Sequence, residues 1–480
     1  DYFAIAKAAI REARHTVMMI GWHFDLHIKL EPDRADATPP DELGQFLKAV
    51  AAQRPELRIH ILQWDAALLA TLARQIVPFL MLELIWHHRI HFRLDSDHPA
   101  GACHHQKILV IDDALAFCGG IDMTADRWDT RAHRDRDPCR VRADGSPYGP
   151  FHDATVAVDG AAARALGELA RDRWRRATGQ RLDPPDPDHD AWPEKLQPTF
   201  LDVDVAIART HPRRPGRPAV GEIRRLYLDA IASARRTIYL ESQYFASAAI
   251  ADALCRRLEE PDGPEVVVVN PASAAGWLEE EAMDTVRALL VDRLRRADRH
   301  GRFRLYCPVT EEGAPIYVHA KILVIDAGLV RVGSSNVNNR SMGFDTECDL
   351  AVEALPGREG AAVREAITTF RDGLLAEHLG MEAAAFADVR RRIGSLAGAV
   401  EALRRGEGKT LRPIDPERPN DVERLLAETR LLNPERPGQA ERRLTHLAKR
   451  LALAPGRALA DAGRTLRNGI AARHRPSGGA

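Results

Sequence analysis

Unbroken apolar runs recur along the chain, and they come in pairs. Ile-Leu-Val-Ile at 108–111 is repeated at 322–325. Such runs suit strands covered on both faces rather than half-exposed ones, in which polar residues alternate. Upstream, "AIREARHTVMMIGWHF" (Ala9 to Phe24) aligns with "AIASARRTIYLESQYF" (Ala230 to Phe245), and both read as the end of a helix, an Arg-rich turn and a strand. "LRIHILQW" (Leu57 to Trp64) parallels "EVVVVNP" (Glu265 to Pro271) in the same way, a strand followed by a helical stretch. Helix and strand signals alternate through both halves, which predicts two similar α/β lobes with largely buried sheets, produced by an internal duplication.

Breaks in the pattern divide the chain. The proline density of "RLDPPDPDHDAWPEKLQP" (Arg181 to Pro198) excludes helix or central strand over most of it. The expected units are a first lobe over 1–180, a linker over 181–202, a second lobe over 203–390 and a helical, basic C-terminal extension over 391–480. From Glu441 to Ala480 there are nine Arg or Lys against two Asp or Glu, a pattern that suits a helix packed on the lobes or a surface meeting anionic lipid. The longest apolar stretch, Ile76 to Trp86, is about half a membrane span and holds Pro78 and Glu83, so no transmembrane helix is expected there. The chain opens at Asp1 already inside an amphipathic pattern, which is consistent with a start, and any leader, lying upstream.

The 480 residues carry a formal charge of −1, so no global basic imprint points to nucleic acid. The six cysteines, Cys103, Cys118, Cys139, Cys255, Cys307 and Cys348, are scattered without zinc-ligand spacing. They read as free packed thiols in a reducing, cytoplasmic setting, with a Cys103–Cys118 pair as the alternative.

The chemistry lies in what flanks the repeated runs. "GACHHQKILVIDDALAFCGG" presents two histidines, yet 214 residues after His105 the second copy, "VHAKILVIDAGLVRVGSSNVNNRS", keeps only His319. His105, Lys107 and Asp112 match His319, Lys321 and Asp326 in identity and spacing, so His105 is the repeated residue and His104 a neighbour. The match runs on through Gly119, Gly120 and Asp122 against Gly333, Ser334 and Asn336. Residues two apart on a strand share a face, so each copy sets an imidazole beside an ammonium. The glycines suit backbone that must come close to something, such as an anion.

If the lobes meet about a pseudo-twofold axis, two imidazoles and two ammonium groups share one pocket, an inventory suited to phosphoryl transfer. A neutral imidazole attacks phosphorus, a protonated one donates to the leaving oxygen, and Lys107, Lys321 and Asn336 stabilise the non-bridging oxygens without a metal or other cofactor. The rings then need orienting partners, for which Asp153 in "PFHDATVAVDG" and Glu347 in "GFDTECDLAVE" are candidates. Asp112 and Asp326 are expected to fix a turn or pair with a lysine. His104, His23, His87 and His88 are expected to be structural.

The duplicated His-x-Lys-x4-Asp motif resembles that of the phospholipase D superfamily, over roughly residues 1 to 380. "HHQKILVIDDALAFCGGIDMTADRWDT", "ESQYF" and "NNRSMGFDTE" look like its phospholipid-cleaving branch. The resemblance implies two lobes, each a mixed sheet between helices, with one metal-free active site at their interface. It also implies a monomer containing a pseudo-dimer that meets membrane surfaces transiently. His105 would be the nucleophile, His319 the acid, Lys107, Lys321 and Asn336 the phosphate-holding residues, and Asp153 and Glu347 the orienting carboxylates. Two departures stand out: Asp122 replaces the amide expected from Asn336, which suggests a lysine partner, and Gly120 is the counterpart of Ser334, so a hydroxyl would reach phosphate from one lobe only. The implied activity is hydrolysis and head-group exchange of phosphatidyl diesters. The alternatives are a cardiolipin-synthase-like transferase, a metal-independent nuclease and a non-catalytic binding protein that keeps the fold.

Overall fold

A computed structural model describes residues 2–34, 40–65, 88–186, 189–273, 277–416, 433–437 and 439. The apolar stretch at 76–86 and the basic segment at 441–480 lie outside the described residues.

In the first half the strands are β1 (Thr16–Gly21), β2 (Arg58–Trp64), β3 (Ile90–Asp95), β4 (Ile108–Ile111), β5 (Leu115–Gly119), the short β6 (Phe151–His152) and β7 (Thr155–Asp159). All but β6 form one sheet in the order β3-β2-β1-β4-β5-β7, parallel among β1 to β3 and antiparallel from β1 through β4 and β5 to β7. The second half supplies β8 (Ala206–His211), β9 (Val220–Gly221), β10 (Thr237–Glu241), β11 (Phe245–Ala246), β12 (Glu265–Val269), β13 (Phe303–Val309), β14 (Tyr317–Val318), β15 (Ile322–Ile325), β16 (Leu329–Gly333), β17 (Val337–Asn338), β18 (Glu347–Glu353) and β19 (Thr410–Pro413). Its nine-stranded sheet contains the order β13-β12-β10-β15-β16-β18, which repeats the first sheet in sequence and in strand direction. The duplication read from the sequence is therefore a duplication of topology.

Both Ile-Leu-Val-Ile strands are buried throughout, as their patterns require, because helices cover the sheets. Helix 2–12 turns Phe3, Ala6, Ala9 and Ile10 inward at helical spacing, and helix 160–178 does so with Ala163, Leu166, Ala170 and Trp174. The lobes share apolar packing. Cys118 and Trp174 of the first lie in one buried cluster with Cys348 and Leu350 of the second. The sheets meet along β5, β7, β16 and β18, the strands that follow the two motifs.

Past residue 390 the chain does more than extend as helix. Helix 396–403 packs Leu396, Ala397, Ala399 and Val400 into the second core, and β19 then pairs antiparallel with β13 at the edge of the second sheet. All six cysteines are free thiols, Cys103 and Cys118 included. Among the described residues no helix is long and apolar enough to cross a membrane.

Candidate active site

Each motif runs into an interior strand of its sheet: His105 and Lys107 precede β4, His319 and Lys321 precede β15. The aspartates at the far ends have another task. Asp112 accepts the backbone amides of Arg14, His15 and Thr16 at 2.6 to 2.8 Å, and Asp326 those of Arg235, Arg236 and Thr237 at 2.7 to 2.9 Å. Both have positive φ, 50° and 53°, which Asp tolerates better than most residues. They tie β4 and β15 to the turn that opens β1 and β10.

The orienting carboxylates cross between lobes. Glu347, at the start of β18, lies 2.9 and 3.1 Å from Nδ1 of His105, and Asp153, just before β7, lies 2.6 Å from Nδ1 of His319. The crossing follows from two short backbone links. β6 pairs in parallel with β14, so the carbonyl of His152 accepts the amide of His319 at 2.7 Å; His104 bridges Thr346, whose carbonyl accepts the amide of His105 at 2.9 Å. With Nδ1 of each ring occupied by a carboxylate, Nε2 is the ring nitrogen not engaged by it.

Ser334 does not turn toward a phosphate site. Its hydroxyl donates to Glu347 at 2.5 Å and accepts the amide of Cys348, while Ser341 donates to the other oxygen of Glu347 at 2.6 Å. At the matching Gly120 an added Cβ would overlap the Asp153 carboxylate, with Cγ 2.8 Å away. Gly119 and Gly333 likewise answer to neighbouring strands rather than to an anion: a Cβ would stand 2.5 Å from the Cα of Thr155 or Asp349.

Lys107 donates to the carbonyl of its own His105 at 2.8 Å and pairs with Asp122 at 3.1 Å. Asp122 also accepts the amide of Trp22. Lys321 donates to the carbonyl of His319 and lies 3.4 Å from Oε1 of Gln243, which the amide of Asn336 approaches at 3.5 Å. The two histidines line one cavity of about 430 Å³, whose wall includes Trp22, Trp64, Arg127, Gln243, Tyr244, Tyr317 and Asn336. Arg127, stacked 5.0 Å over the ring of Phe151, and Gln243 were not anticipated from sequence; both lie outside the repeated spacing, although Gln243 belongs to the quoted "ESQYF".

Burial dominates the electrostatics. It holds both imidazoles well below the ordinary histidine range, with Lys107 and Lys321 adding to the effect on His105, and Lys321 and Arg127 on His319. It pushes Asp153 up to about 6 and Glu347 up to about 7, and lowers Lys321 to about 7. An anionic phosphodiester entering this site would favour the charged forms of both histidine and lysine.

Beyond the cavity, His133, His152 and Glu377, and again His152, Glu241 and His378, gather three donor atoms within 4.8 Å. Such His2Glu sets have the composition of zinc sites. Here, however, each ring nitrogen of His152 already faces its own carboxylate oxygen.

The fold and cavity define a two-lobed α/β protein with one composite histidine–carboxylate site. Residues 227–371 match the family model described as "Cardiolipin synthase, PLD-like domain". Phospholipase D A of Dictyostelium discoideum is 25% identical over 79% of this chain and 35% of its own length, and phospholipase D alpha 1 of Carica papaya is 24% identical over 78% and 63%. The chain thus spans less than two-thirds of these curated relatives. A solved phosphatidylserine synthase of Haemophilus influenzae shares the fold, with a TM-score of 0.51 at 12% identity over 76% of this chain and 83% of that one. The family-model match and the phospholipase D relatives support the phospholipase D superfamily as the one this chain resembles.

Proposed function

We propose that this chain is a phospholipase D, cleaving phosphatidyl diesters to phosphatidate and free alcohol through a covalent phosphohistidine. The observation that carries this reading is the pair of histidines on one cavity, each with Nδ1 held by a carboxylate from the opposite lobe. His105 is the more accessible ring, its side chain 16% exposed against 6% for His319, which supports His105 as the nucleophile. Nε2 of His105 attacks phosphorus while His319, protonated, gives its Nε2 proton to the leaving head-group oxygen. The P–N bond forms as the P–O bond breaks. His319, now neutral, takes a proton from water or an alcohol, which attacks the phosphohistidine and releases the phosphatidyl product. Lys107, Lys321 and Asn336 supply positive and hydrogen-bonding character around the non-bridging oxygens. The substrate partner is a phospholipid met at a membrane surface.

A phosphatidyltransferase uses the same two half-reactions with a lipid alcohol as acceptor, and the matched family model's name favours keeping it as the second reading. The test is mass spectrometry of products from mixed phosphatidylcholine, phosphatidylethanolamine and phosphatidylglycerol with a competing primary alcohol. Phosphatidate and phosphatidylalcohol are expected; a product ratio dominated by lipid–lipid transfer favours the second reading. No phosphatidyl product from any of the three contradicts both.

A further inference from the structure

His152 stands one residue before Asp153, and its backbone carbonyl accepts the amides of His319 and Ala320 at 2.7 and 3.1 Å. Its ring is fastened elsewhere. Nε2 lies 2.8 Å from Oε2 of Glu241 at the end of β10, and Nδ1 lies 3.1 Å from Oε1 of Glu377 in helix 358–378. Glu241 also meets Nε2 of His378 at 3.0 Å and the hydroxyl of Tyr239. Glu377 meets Nε2 of His133 at 3.1 Å, whose Nδ1 faces Asp129 at 2.9 Å. Thus a first-lobe ring is bound into second-lobe carboxylates immediately before the carboxylate that serves a second-lobe histidine.

Ionised carboxylates only accept, and a neutral imidazole donates once, so a ring flanked by two of them carries both N–H groups and a positive charge. Burial opposes that charge, yet Glu241 and Glu377 raise His152 to about 10. Displacing the ring would take a charged partner from two buried carboxylates, leaving Glu241 with His378 and Glu377 with His133 and Arg131. The other half has an uncharged counterpart. Thr346 stands one residue before Glu347, its carbonyl accepts the amide of His105, and its Oγ1 lies 3.0 Å from Nδ1 of His104.

We propose that His152 is a positioning residue for the transfer reaction, bridging Glu241 and Glu377 so that the segment Phe151–Asp153 keeps Asp153 aligned on His319. The proposal rests on the reading of Asp153 and His319 as an acid–base pair. It takes the His2Glu cluster to be closed by protons rather than by a metal.

The test introduces His152→Gln and Glu377→Gln separately into the full chain and into an Asp153→Asn background, with kcat and KM measured on a phospholipid. Each substitution is expected to lower kcat about 10- to 100-fold with KM within twofold, because small misalignments of reacting groups cost that much. In the Asp153→Asn background each is expected to change kcat less than twofold, since its effect runs through Asp153. If His152→Gln does not fold, Glu377→Gln carries the same comparison. Equal losses in both backgrounds, or no loss with either variant while Asp153→Asn is impaired, overturns this inference alone. So does one zinc per purified chain that both variants lose. An Asp153→Asn protein with full activity overturns the functional reading and this inference with it.

Discussion

Gly120 and the carboxylate of Asp153 occupy adjoining space so closely that a single added methyl group would overlap it. The equivalent residue in the other lobe, Ser334, instead donates its hydroxyl to Glu347. The longer glutamate leaves room for a side chain beside it; the shorter aspartate reaches His319 only where that side chain is missing. The two halves of the site are thus built by opposite local means.

Gly120→Ala is therefore expected to displace Asp153 from His319 and lower kcat about 100-fold, at a stability cost of about 1–3 kcal/mol for overpacking. Ser334→Ala, which keeps the Cβ and loses only the hydroxyl, should cost less activity. Paired kinetics and thermal unfolding check this, and a Gly120→Ala protein with wild-type kcat would refute the assignment of Asp153.

The acid limb of the rate profile should lie higher than ordinary carboxylates would put it. Burial raises Asp153 to about 6 and Glu347 to about 7, so as pH falls through 7 and then 6 each takes up a proton and ceases to accept from Nδ1. kcat/KM is expected to drop on that side with apparent values between about 6 and 7 that belong to the histidine–carboxyl pairs. Ser334→Ala removes a donor that favours ionised Glu347 and should move the limb upward. A limb near pH 4 would contradict the assignment.

On the alkaline side Lys321, lowered by burial to about 7, loses its charge in the empty site as pH rises. A bound phosphodiester restores the proton. KM should therefore rise above pH 7 while kcat at saturation changes little. Kinetics from pH 6.5 to 8.5 test it, and a flat KM counts against a phosphate-holding role.

Asp112 carries a structural burden. Replacing it with Ala leaves the amides of Arg14, His15 and Thr16 without their acceptor and puts Ala at positive φ, which together cost about 3 kcal/mol or more. Thermal melts should show the loss, and Asp326→Ala should behave alike. An unchanged melting temperature would refute this.

Much of this was readable beforehand because duplication marks itself. The apolar runs, the motif spacing and the linker outlined two lobes, and the repeated sheet order follows from them. The partners of the histidines were harder to assign. Asp153 and Glu347 were recognisable as carboxylates at the mouths of apolar strands, but their crossing depends on β6 pairing with β14 and on the bridge from His104 to Thr346, contacts well over a hundred residues apart with no periodic trace. The position of Ser334 in the motif suggests a phosphate ligand; the direction of its hydroxyl is set by Glu347, thirteen residues on. The glycines spoke of close approach, and what approaches is β7 or β18. The strand at Thr410–Pro413 falls inside the stretch whose sequence suggests a helical extension, and its pairing is set by the open edge of β13 rather than by any local pattern.

The most direct test of the shared site is to expose a His319→Asn variant to a nitrophenyl phosphodiester, whose leaving group needs no acid, and map the trapped adduct after alkaline quench. A burst of about one equivalent of nitrophenol and a phosphoryl group on His105, absent from His105→Asn, are expected. Steady turnover without an adduct, or an adduct on a residue outside the cavity, would contradict the shared site.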